Sequence, residues 1–273
     1  MNNTAHVAKH HINNIVLKVG GNFFEDQHAQ DSFFASVAAL KLQGHNVAIV
    51  HGGGAQLQTQ LTALGFVSEK HEGLRISPDE QMPAVTGVLA GTLNKQMVCL
   101  AAKAGLTGVG ISLADGNLAI CEEVMPMLGA VGYPHPRSAK LLHQLMHANL
   151  TPIICSIGSD LNGRLYNVNA DQAATCISSL LYADLYLLSD VSGVLDENNS
   201  IIGNLDDAEI DSLINSGVIT DGMIVKVKAA QAASRTLGKA VNIASWNDVS
   251  MMFSEVNTNT GTSITSAPSA QQF

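Results

Sequence analysis

The chain has 273 residues, which at roughly 150 residues per domain corresponds to one large domain or two closely joined ones. Its 14 Lys and Arg residues are outnumbered by 23 Asp and Glu residues, and the net charge of -9 would repel a polyanion, so we expect no nucleic-acid partner. Charged residues make up 14% of the chain and hydrophobic residues 46%, which excludes general disorder and is typical of a compact globule with an apolar subunit contact.

The sequence also argues against a membrane protein or a secreted one. No apolar run approaches the roughly 18 to 20 residues of a bilayer span, and the first residues, MNNTAHVAKHH, lack the apolar stretch of a secretion signal. We therefore expect a cytoplasmic protein without membrane contact. The cysteines are widely spaced and have aliphatic neighbours, so we expect four buried, reduced thiols: Cys99, Cys121, Cys155 and Cys176.

Short apolar runs alternate with helical patterns along the chain, which predicts an α/β fold with a mainly parallel sheet and helices on both faces. The runs that predict strands covered on both sides are residues 14–19, 46–50, 107–112, 152–156 and 184–189. The helical patterns are residues 29–43, 55–64, 79–104, 138–148 and 170–182.

Local signals refine this outline. Ser77 as N-cap, Pro78 at the first helical position and Glu80 three residues after the cap predict the start of the third helix. Residues 117–133 alternate in short pieces with glycine turns, which predicts an antiparallel excursion, and residues 194–203 predict a hairpin. No linker divides the chain, and we expect disorder from Ala267 onward.

The first residues that indicate chemistry are Lys18, Gly20 and Gly21, at the end of an apolar strand. A lysine within IVLKV indicates an anion at the strand end, although a strand-end lysine that reaches solvent would look the same. The sequence HGGG at 51–54 follows the next strand and opens a helix, so its backbone N–H groups could hold a phosphate or carboxylate. Neither a P-loop nor a complete dinucleotide pattern is present.

Three polar side chains alternate between a predicted strand and a helix: Asn167, Asn169 and Asp171. Alternate positions of an extended segment point the same way, so the three could converge on one pocket, although Asn169 or Asp171 is also suited to cap the helix. Asp190 follows another apolar strand, where it could position a nucleotide or form a turn.

Three basic residues lie in other parts of the sequence. Lys226 and Lys228 are two apart on a predicted helix and cannot face the same pocket, so we expect one of them to be solvated. Arg75 lies in a predicted loop, where it could clamp a carboxylate or form a surface ion pair.

Taken in order, the segments LKVGGN, VHGGG, GLR, NVNADQAA, LLSDVSGVL and ITDGMIVKV resemble the amino-acid kinase family. Within it they are most similar to the members that phosphorylate N-acetyl-L-glutamate. The resemblance extends from Ile15 to Phe253, and GTSI at 261–264 is similar to the family's last strand.

The resemblance implies an αβα sandwich with two lobes. Residues 14–165 would bind N-acetyl-L-glutamate and residues 166–264 would bind ATP with Mg²⁺, between tails at 1–13 and 265–273. The implied reaction is phosphorylation of the γ-carboxylate of N-acetyl-L-glutamate, the second step of arginine biosynthesis.

The resemblance also assigns residues to roles. Lys18 and Lys226 would stabilise the phosphoryl group in transfer, with Asp171 orienting both lysines. The substrate-binding residues would be Gly53, Gly54, Arg75, Asn167 and Asn169. The nucleotide-binding residues would be Gly20, Gly21, Ser189, Asp190, Val191, Ser192, Gly193, Val194, Leu195, Val218, Ile219 and Thr220.

Three alternatives stay open at this stage. They are a sister kinase that acts on another small acid, a non-catalytic sensor of nucleotides and amino acids, and a dinucleotide oxidoreductase, which the incomplete glycine pattern at 108–110 disfavours. Arginine-inhibited members of the family carry an additional N-terminal helix, for which the short segment before residue 14 leaves no room. We therefore expect an arginine-insensitive homodimer, paired through the helix at 79–104.

Overall fold

The computed structural model describes residues 12–253 and 260–267. The predicted disorder after Ala267 and most of the predicted tail at 1–13 lie outside these residues. The strands are β1 (Asn14–Val19), β2 (Asn46–His51), β3 (Lys70–His71), β4 (Leu74–Arg75), β5 (Gly108–Ser112), β6 (Ala119–Glu123), β7 (Val131–Pro136), β8 (Thr151–Cys155), β9 (Ile157–Ser159), β10 (Leu165–Val168), β11 (Asp184–Ser189), β12 (Asn204–Leu205), β13 (Val241–Ser245) and β14 (Thr262–Ile264).

The helices follow most of these strands, as the alternating pattern predicts. They are α1 (Gln27–Leu42), α2 (Gly54–Ala63), α3 (Met82–Thr86), α4 (Asn94–Lys103), α5 (Lys140–His147), α6 (Ala170–Leu181), α7 (Asp207–Asn215), α8 (Asp221–Leu237) and α9 (Val249–Met252). A π-helical segment, Gly87–Leu93, joins α3 to α4, and 3-10 turns occur at Gly21–Glu25, Asp79–Gln81, Asp115–Asn117 and Pro126–Leu128.

One eight-stranded sheet runs through the described part of the chain in the order β12-β14-β13-β11-β1-β2-β8-β5. Every pair is parallel except β13 with β14, which confirms the mainly parallel sheet. Strand β1 lies between β2 and β11, and Lys18 is in register with Val50 and Leu187. Because parallel strands end at the same edge, the turns after β1, β2 and β11 are neighbours.

A smaller sheet, in the order β6-β7-β10-β9, covers part of this edge, together with the short β3–β4 hairpin. The antiparallel pairing of β6 with β7 confirms the predicted excursion at 117–133. The hairpin predicted at 194–203 is present as a single bridge between Leu195 and Ile201. None of the helices in the described ranges combines the length and the apolar composition that a bilayer span requires.

The predicted start of the third helix is wrong in its details. Ser77 is fully buried and bridges Gly129, while its hydroxyl donates a hydrogen bond to the carbonyl of Arg75 over 3.0 Å. The first turn is a 3-10 turn preceded by Pro78, and no side chain caps it. The buried contacts of Ser77 therefore replace the capping box that the local sequence favours.

The cysteines follow the prediction at three positions of four. Cys121, Cys155 and Cys176 are buried, and burial raises the pKa of each thiol to about 12. Cys99 is exposed on α4, so the prediction of burial is wrong for this residue. Aliphatic neighbours in sequence do not decide burial on a helix, because successive residues point about 100° apart.

A stability prediction follows from Gly129, which has a φ of 70°. A Cβ there would lie 2.5 Å from the carbonyl oxygen of Ser77, so Gly129→Ala should lower the free energy of unfolding by about 3 kcal/mol. Gly163 has a φ of 84° but open space around it, so Gly163→Ala should cost only about 1 kcal/mol. Urea unfolding of both variants measures the difference, and equal losses would contradict the steric explanation.

Candidate active site

Two cavities open at the carboxyl edge of the central sheet, and both are lined by Lys18, Gly20 and Gly21. The acceptor cavity, as we call the first, has a volume of about 200 Å³ and is otherwise lined mainly by the turn after β2, the β3–β4 hairpin and the end of β10. The donor cavity has a volume of about 180 Å³ and lies against the ends of β11 and β13 and against α8. The two cavities therefore meet at the end of β1.

The acceptor cavity is built to hold an anion. Its lining contains three cationic side chains, those of Lys18, Lys70 and Arg75, and no carboxylate among the described residues that line it. The helices α2 and α6 both begin at its wall, with Gly54 and Ala170, and their first N–H groups carry partial positive charge. A carboxylate or phosphate in this cavity would be surrounded by positive potential.

The glycine turn after β2 is held tightly against the core. A Cβ at Gly53 would lie 2.1 Å from a methyl carbon of Leu93 and 3.1 Å from one of Leu89, two buried residues of the π-helical segment. A Cβ at Gly52 would likewise lie 3.1 Å from the methyl group of Ala170. Only glycine allows the backbone of the turn to lie so close to its neighbours; the N–H of Gly52 donates to the carbonyl of Val19, while Gly53 and Gly54 line the cavity.

Arg75 lies on β4 and not in a loop, and its guanidinium is positioned by three groups. It donates hydrogen bonds to the side chains of Gln58 and Ser68 and, over 2.9 Å, to the carbonyl of Gly54. Burial lowers the pKa of Arg75 below its usual value, but a guanidinium stays protonated at neutral pH. The structure thus places this cation at the cavity wall in a defined orientation.

Asn167 and Asn169 reach the same cavity from the other side. The side-chain amide of Asn167 donates a hydrogen bond to the hydroxyl of Ser77 over 3.0 Å. Asn169 caps α6, since its side-chain oxygen accepts from the backbone N–H groups of Asp171 and Gln172. The capping alternative therefore holds for Asn169, which still lines the cavity.

The charged pair at the junction of the cavities joins β1 to α6. The Lys18 ammonium lies 2.8 Å from a carboxylate oxygen of Asp171, and both side chains are largely buried. Lys226 pairs instead with Asp190, over 3.4 Å. In this structure Asp171 therefore pairs with Lys18 and Asp190 with Lys226, and the expectation that Asp171 orients both lysines stays a prediction.

The donor cavity brings together residues from distant parts of the chain. Lys18 and Lys226 both line it, as do Ser189, Asp190 and Trp246. Lys228, two residues further along α8, turns away to pair with Asp211, as the helical geometry predicts. Trp246 is the only tryptophan of the chain and is 3% exposed, packed edge-on against Phe23.

Two groups of predicted nucleotide-binding residues lie outside the linings of these cavities. Val191, Ser192, Gly193, Val194 and Leu195 continue from Asp190, but Val194 is buried and its N–H donates to the hydroxyl of Thr262. Val218, Ile219 and Thr220 precede α8, and Ile219 is buried. Their contact with nucleotide stays a prediction.

Some residues of the site carry no recognisable pattern in the sequence. Gln58 and Ser68 hold Arg75 only because α2 and the following turn pack beside β4. Lys70 lies in a polar segment between Glu69 and Glu72, and nothing in this sequence distinguishes it from a solvated lysine. The position of Trp246 near the site could have been predicted, because this residue directly follows an apolar strand of the parallel sheet.

A parallel sheet with helices on both faces, two adjoining cavities and a lysine at their junction are features of an enzyme that brings two small ligands together, at least one of them anionic. The model of the amino acid kinase family matches residues 13–245, so this chain belongs to the amino acid kinase family. The family resemblance and the αβα architecture are both confirmed. Membership of a kinase family implies ATP as the phosphoryl donor.

The chain is also similar to named proteins and to solved structures. The acetylglutamate kinase of Vibrio campbellii is 46% identical over 233 residues, which cover 85% of this chain and 89% of the relative. That of Shewanella sediminis is 42% identical over 243 residues, covering 89% and 92%. A crystal structure from Streptococcus mutans UA159 superposes with a TM-score of 0.76 at 26% identity, covering 92% of this chain and 98% of the other.

Proposed function

We propose that this protein transfers the γ-phosphoryl group of ATP to the γ-carboxylate of N-acetyl-L-glutamate, in arginine biosynthesis. The observation that carries the proposal is the junction of a cation-lined cavity with a second cavity at Lys18. The relatives named acetylglutamate kinase, at 42% and 46% identity over most of the chain, support the same substrate. A biosynthetic enzyme that consumes ATP is expected where ATP is supplied, so we propose the cytoplasm as its location.

The charge of the acceptor cavity favours an N-acylated amino acid over a free one. A free amino acid would bring its α-ammonium group into a cavity whose charged lining residues are Lys18, Lys70 and Arg75. Acetylation removes this positive charge and leaves two carboxylates, for which the cavity offers cations at both ends. In this proposal Arg75 and Asn167 bind the α-carboxylate, and Lys18 with the glycine turn binds the γ-carboxylate; the support is that all of them line the acceptor cavity.

The reaction needs no general base, which agrees with the residues present. A γ-carboxyl group has a pKa near 4.3 and is ionised at neutral pH. One of its oxygens forms a bond to the γ-phosphorus, the bond from that phosphorus to the β,γ-bridging oxygen breaks, and ADP leaves with the electron pair. The protein must bring two anions together and neutralise the charge that spreads over the equatorial oxygens.

Lys18 and Lys226 are the side chains that supply positive charge at this point. Both line the donor cavity. Lys18 is held by a short and largely buried pair with Asp171, and Lys226 forms a longer and more exposed pair with Asp190. The N–H groups of Gly53 and Gly54 would add donors from the acceptor side. Such donors are fixed before the reaction, so no reorganisation is needed during the transfer.

The donor cavity also suits a magnesium ion bound with the nucleotide. Mg²⁺ keeps several waters and is usually held by one or two carboxylates and phosphate oxygens; the carboxylates that line this cavity are those of Asp171 and Asp190, and of the two Asp190 has the longer and more exposed lysine pairing. The described residues contain no group of three or more metal-ligating side chains, so phosphate oxygens and waters would supply most of the ligands. When bound, the ion would neutralise phosphate charge.

A sister kinase for another small acid is the alternative that the site itself must distinguish. The sensor and the oxidoreductase are disfavoured by the kinase relatives, and the sensor also by the presence of both Lys18 and Lys226 at one cavity. Substrate choice among kinases depends on the acceptor cavity, chiefly on Lys70, Arg75 and Asn167.

The proposed activity is tested by trapping the acyl phosphate with hydroxylamine in the presence of ATP and Mg²⁺. N-acetyl-L-glutamate should be preferred over glutamate by at least about 100-fold in kcat/KM, because the free ammonium group is repelled in the cation-lined cavity. Aspartate and aminoadipate serve as further acceptors. A higher rate with any of these three acids would assign the chain to a sister kinase.

The roles of the lysines predict a separation between turnover and binding. Lys18→Ala or Lys226→Ala should lower kcat by about 100-fold and leave KM for ATP within about threefold. Lys228→Ala is the matched control on the same helix, because this lysine pairs with Asp211 away from the cavity, and its activity should be unchanged. The fluorescence of Trp246 reports ATP binding in each variant. Unchanged turnover in either of the first two would refute the role.

We also propose that the acceptor is bound chiefly by residues 14–165 and ATP chiefly by residues 166–264. The large sheet runs through both parts, and Asn167 and Asn169 complete the acceptor cavity from beyond the boundary. The two parts therefore share the site.

A homodimer paired through the long helix, from α3 to α4, is the assembly that we propose. The small residues Pro83 and Gly87 are exposed on this helix, and an apolar groove between α1 and α4 exposes 90% of Leu42. Exposed apolar surface of this kind is typical of subunit contacts.

Light scattering after size-exclusion chromatography should give twice the monomer mass of 28.6 kDa, and added arginine should leave the activity unchanged. A hexamer would contradict the proposed dimer, and inhibition by arginine would contradict the expected insensitivity to arginine.

A further inference from the structure

A buried histidine lies directly beneath the glycine turn of the acceptor cavity. His51 is the last residue of β2 and is 0% exposed. Its Nδ1 atom lies 2.8 Å from the carbonyl oxygen of Gly52, and its Nε2 atom lies 3.1 Å from the side-chain nitrogen of Asn94. The ring also packs edge-on against Phe24. Neither His51 nor Asn94 lines the cavity, and the phosphoryl transfer described above uses neither.

The contacts of Asn94 determine which nitrogen of His51 carries the proton. The Nδ2 atom of Asn94 also lies 3.0 Å from the carbonyl oxygen of Ile153, and a carbonyl can only accept a hydrogen bond. The carbonyl oxygen of Ile111 lies 3.4 Å from the same atom, so the atom that faces these groups is the amide nitrogen, and its two hydrogens serve the two nearer acceptors, Ile153 and His51. Its Nε2 atom must then be an acceptor, and the proton of the neutral ring lies on Nδ1.

The pKa of His51 agrees with this neutral form. Burial lowers it to about 4, so the ring is uncharged throughout the neutral range. Lys95 is a charged group near this ring. It contributes to the lower pKa of His51 and donates a hydrogen bond to the side-chain oxygen of Asn94 over 3.1 Å. The Nδ1–H group is thus free to donate to Gly52 alone.

This hydrogen bond controls the direction of the next N–H group. The peptide between Gly52 and Gly53 is planar and trans, so its C=O and N–H groups point in opposite directions. Holding the carbonyl oxygen of Gly52 toward His51 therefore turns the N–H of Gly53 away from the core. Gly52 and Gly53 both line the acceptor cavity, so this is the side on which a substrate would lie.

A glycine peptide needs such an anchor more than another peptide would. Two successive glycines have wide conformational freedom, so the peptide between them can rotate at little cost unless something holds it. Leu89 and Leu93 restrict the position of Gly53, but apolar contacts do not select the direction of a carbonyl. The hydrogen bond from His51 supplies this direction.

We propose that His51 and Asn94 are positioning residues, which aim the N–H of Gly53 at the acceptor cavity by holding the carbonyl of Gly52. Asn94 sets the tautomer of His51, and His51 sets the orientation of the peptide. The inference rests on the proposed function in one respect, that an anionic group of the acceptor or of the transferring phosphoryl group binds to the Gly53 N–H.

The kinetic test compares His51→Leu with His51→Asn. Leu and Asn have the same branched shape, but only Asn keeps a donor near the Nδ1 position. His51→Leu should lower kcat by about 30-fold with KM for ATP within about twofold, whereas His51→Asn should recover kcat to within about fivefold of the unchanged protein. Equal losses in the two variants would overturn the proposal, because a purely structural role would not depend on the donor.

A double-mutant cycle tests whether Asn94 acts through His51. Asn94→Ala should lower kcat by itself, and adding it to His51→Leu should cause no further loss, since the two residues form one chain of contacts. Additive losses would show that Asn94 does not act through His51. Lys103→Ala is the control on the same helix, because this exposed lysine pairs with Asp31 at the surface, and its kcat should be unchanged.

A direct observation on the unchanged protein needs no activity and no variant fold. ¹⁵N NMR with labelled histidine, assigned by the resonance that is absent in His51→Asn, should show a neutral ring with the proton on Nδ1 from pH 6 to 8. A proton on Nε2 would overturn the proposal. If the ring has the expected form but no acyl phosphate is made from N-acetylglutamate, the proposed substrate fails and the positioning of the glycine peptide stands.

Discussion

The ion pair between Lys18 and Asp171 is the interaction on which the arrangement of the site depends. Strand β1 is central in the sheet and its preceding residues, Ile15 to Leu17, are fully buried, so Lys18 emerges where solvent is scarce and needs a partner. Asp171 comes from the first turn of α6, whose start is fixed by the cap of Asn169. This contact joins the strand to the helix and places one ammonium group at the junction of both cavities.

Around this pair, the protein surrounds the reacting groups with donors that are held in place by the core. The glycine turn is pressed between the π-helical segment and α6, and Arg75 is oriented by Gln58, Ser68 and the carbonyl of Gly54. A rigid set of donors favours a reaction in which two anions meet, because the electrostatic cost is met by groups that do not have to reorganise. The described lining of the acceptor cavity contains no carboxylate, so the same positive charges disfavour a substrate with a free ammonium group.

Much of the site could be predicted because its residues lie at the ends of strands or directly after them. Lys18, the glycine turn and Asp190 each follow an apolar run, and in a parallel sheet such positions converge at one edge. The contacts of Ser77 could not be predicted, since a local capping pattern competed with a buried bridge to Gly129, far away in sequence. The exposure of Cys99 was missed for a related reason, because aliphatic neighbours do not reveal which face of a helix packs inward.

Periodicity and turn chemistry were enough to establish the α/β class, the parallel sheet and the turns that hold the reactive groups, because these follow from each residue and its near neighbours. The fold alone established which carboxylate meets which lysine, and that His51 lies between Asn94 and the glycine turn. Such pairs join segments tens of residues apart. Their geometry depends on strand order, register and the rotation of each helix, which no short stretch of sequence specifies.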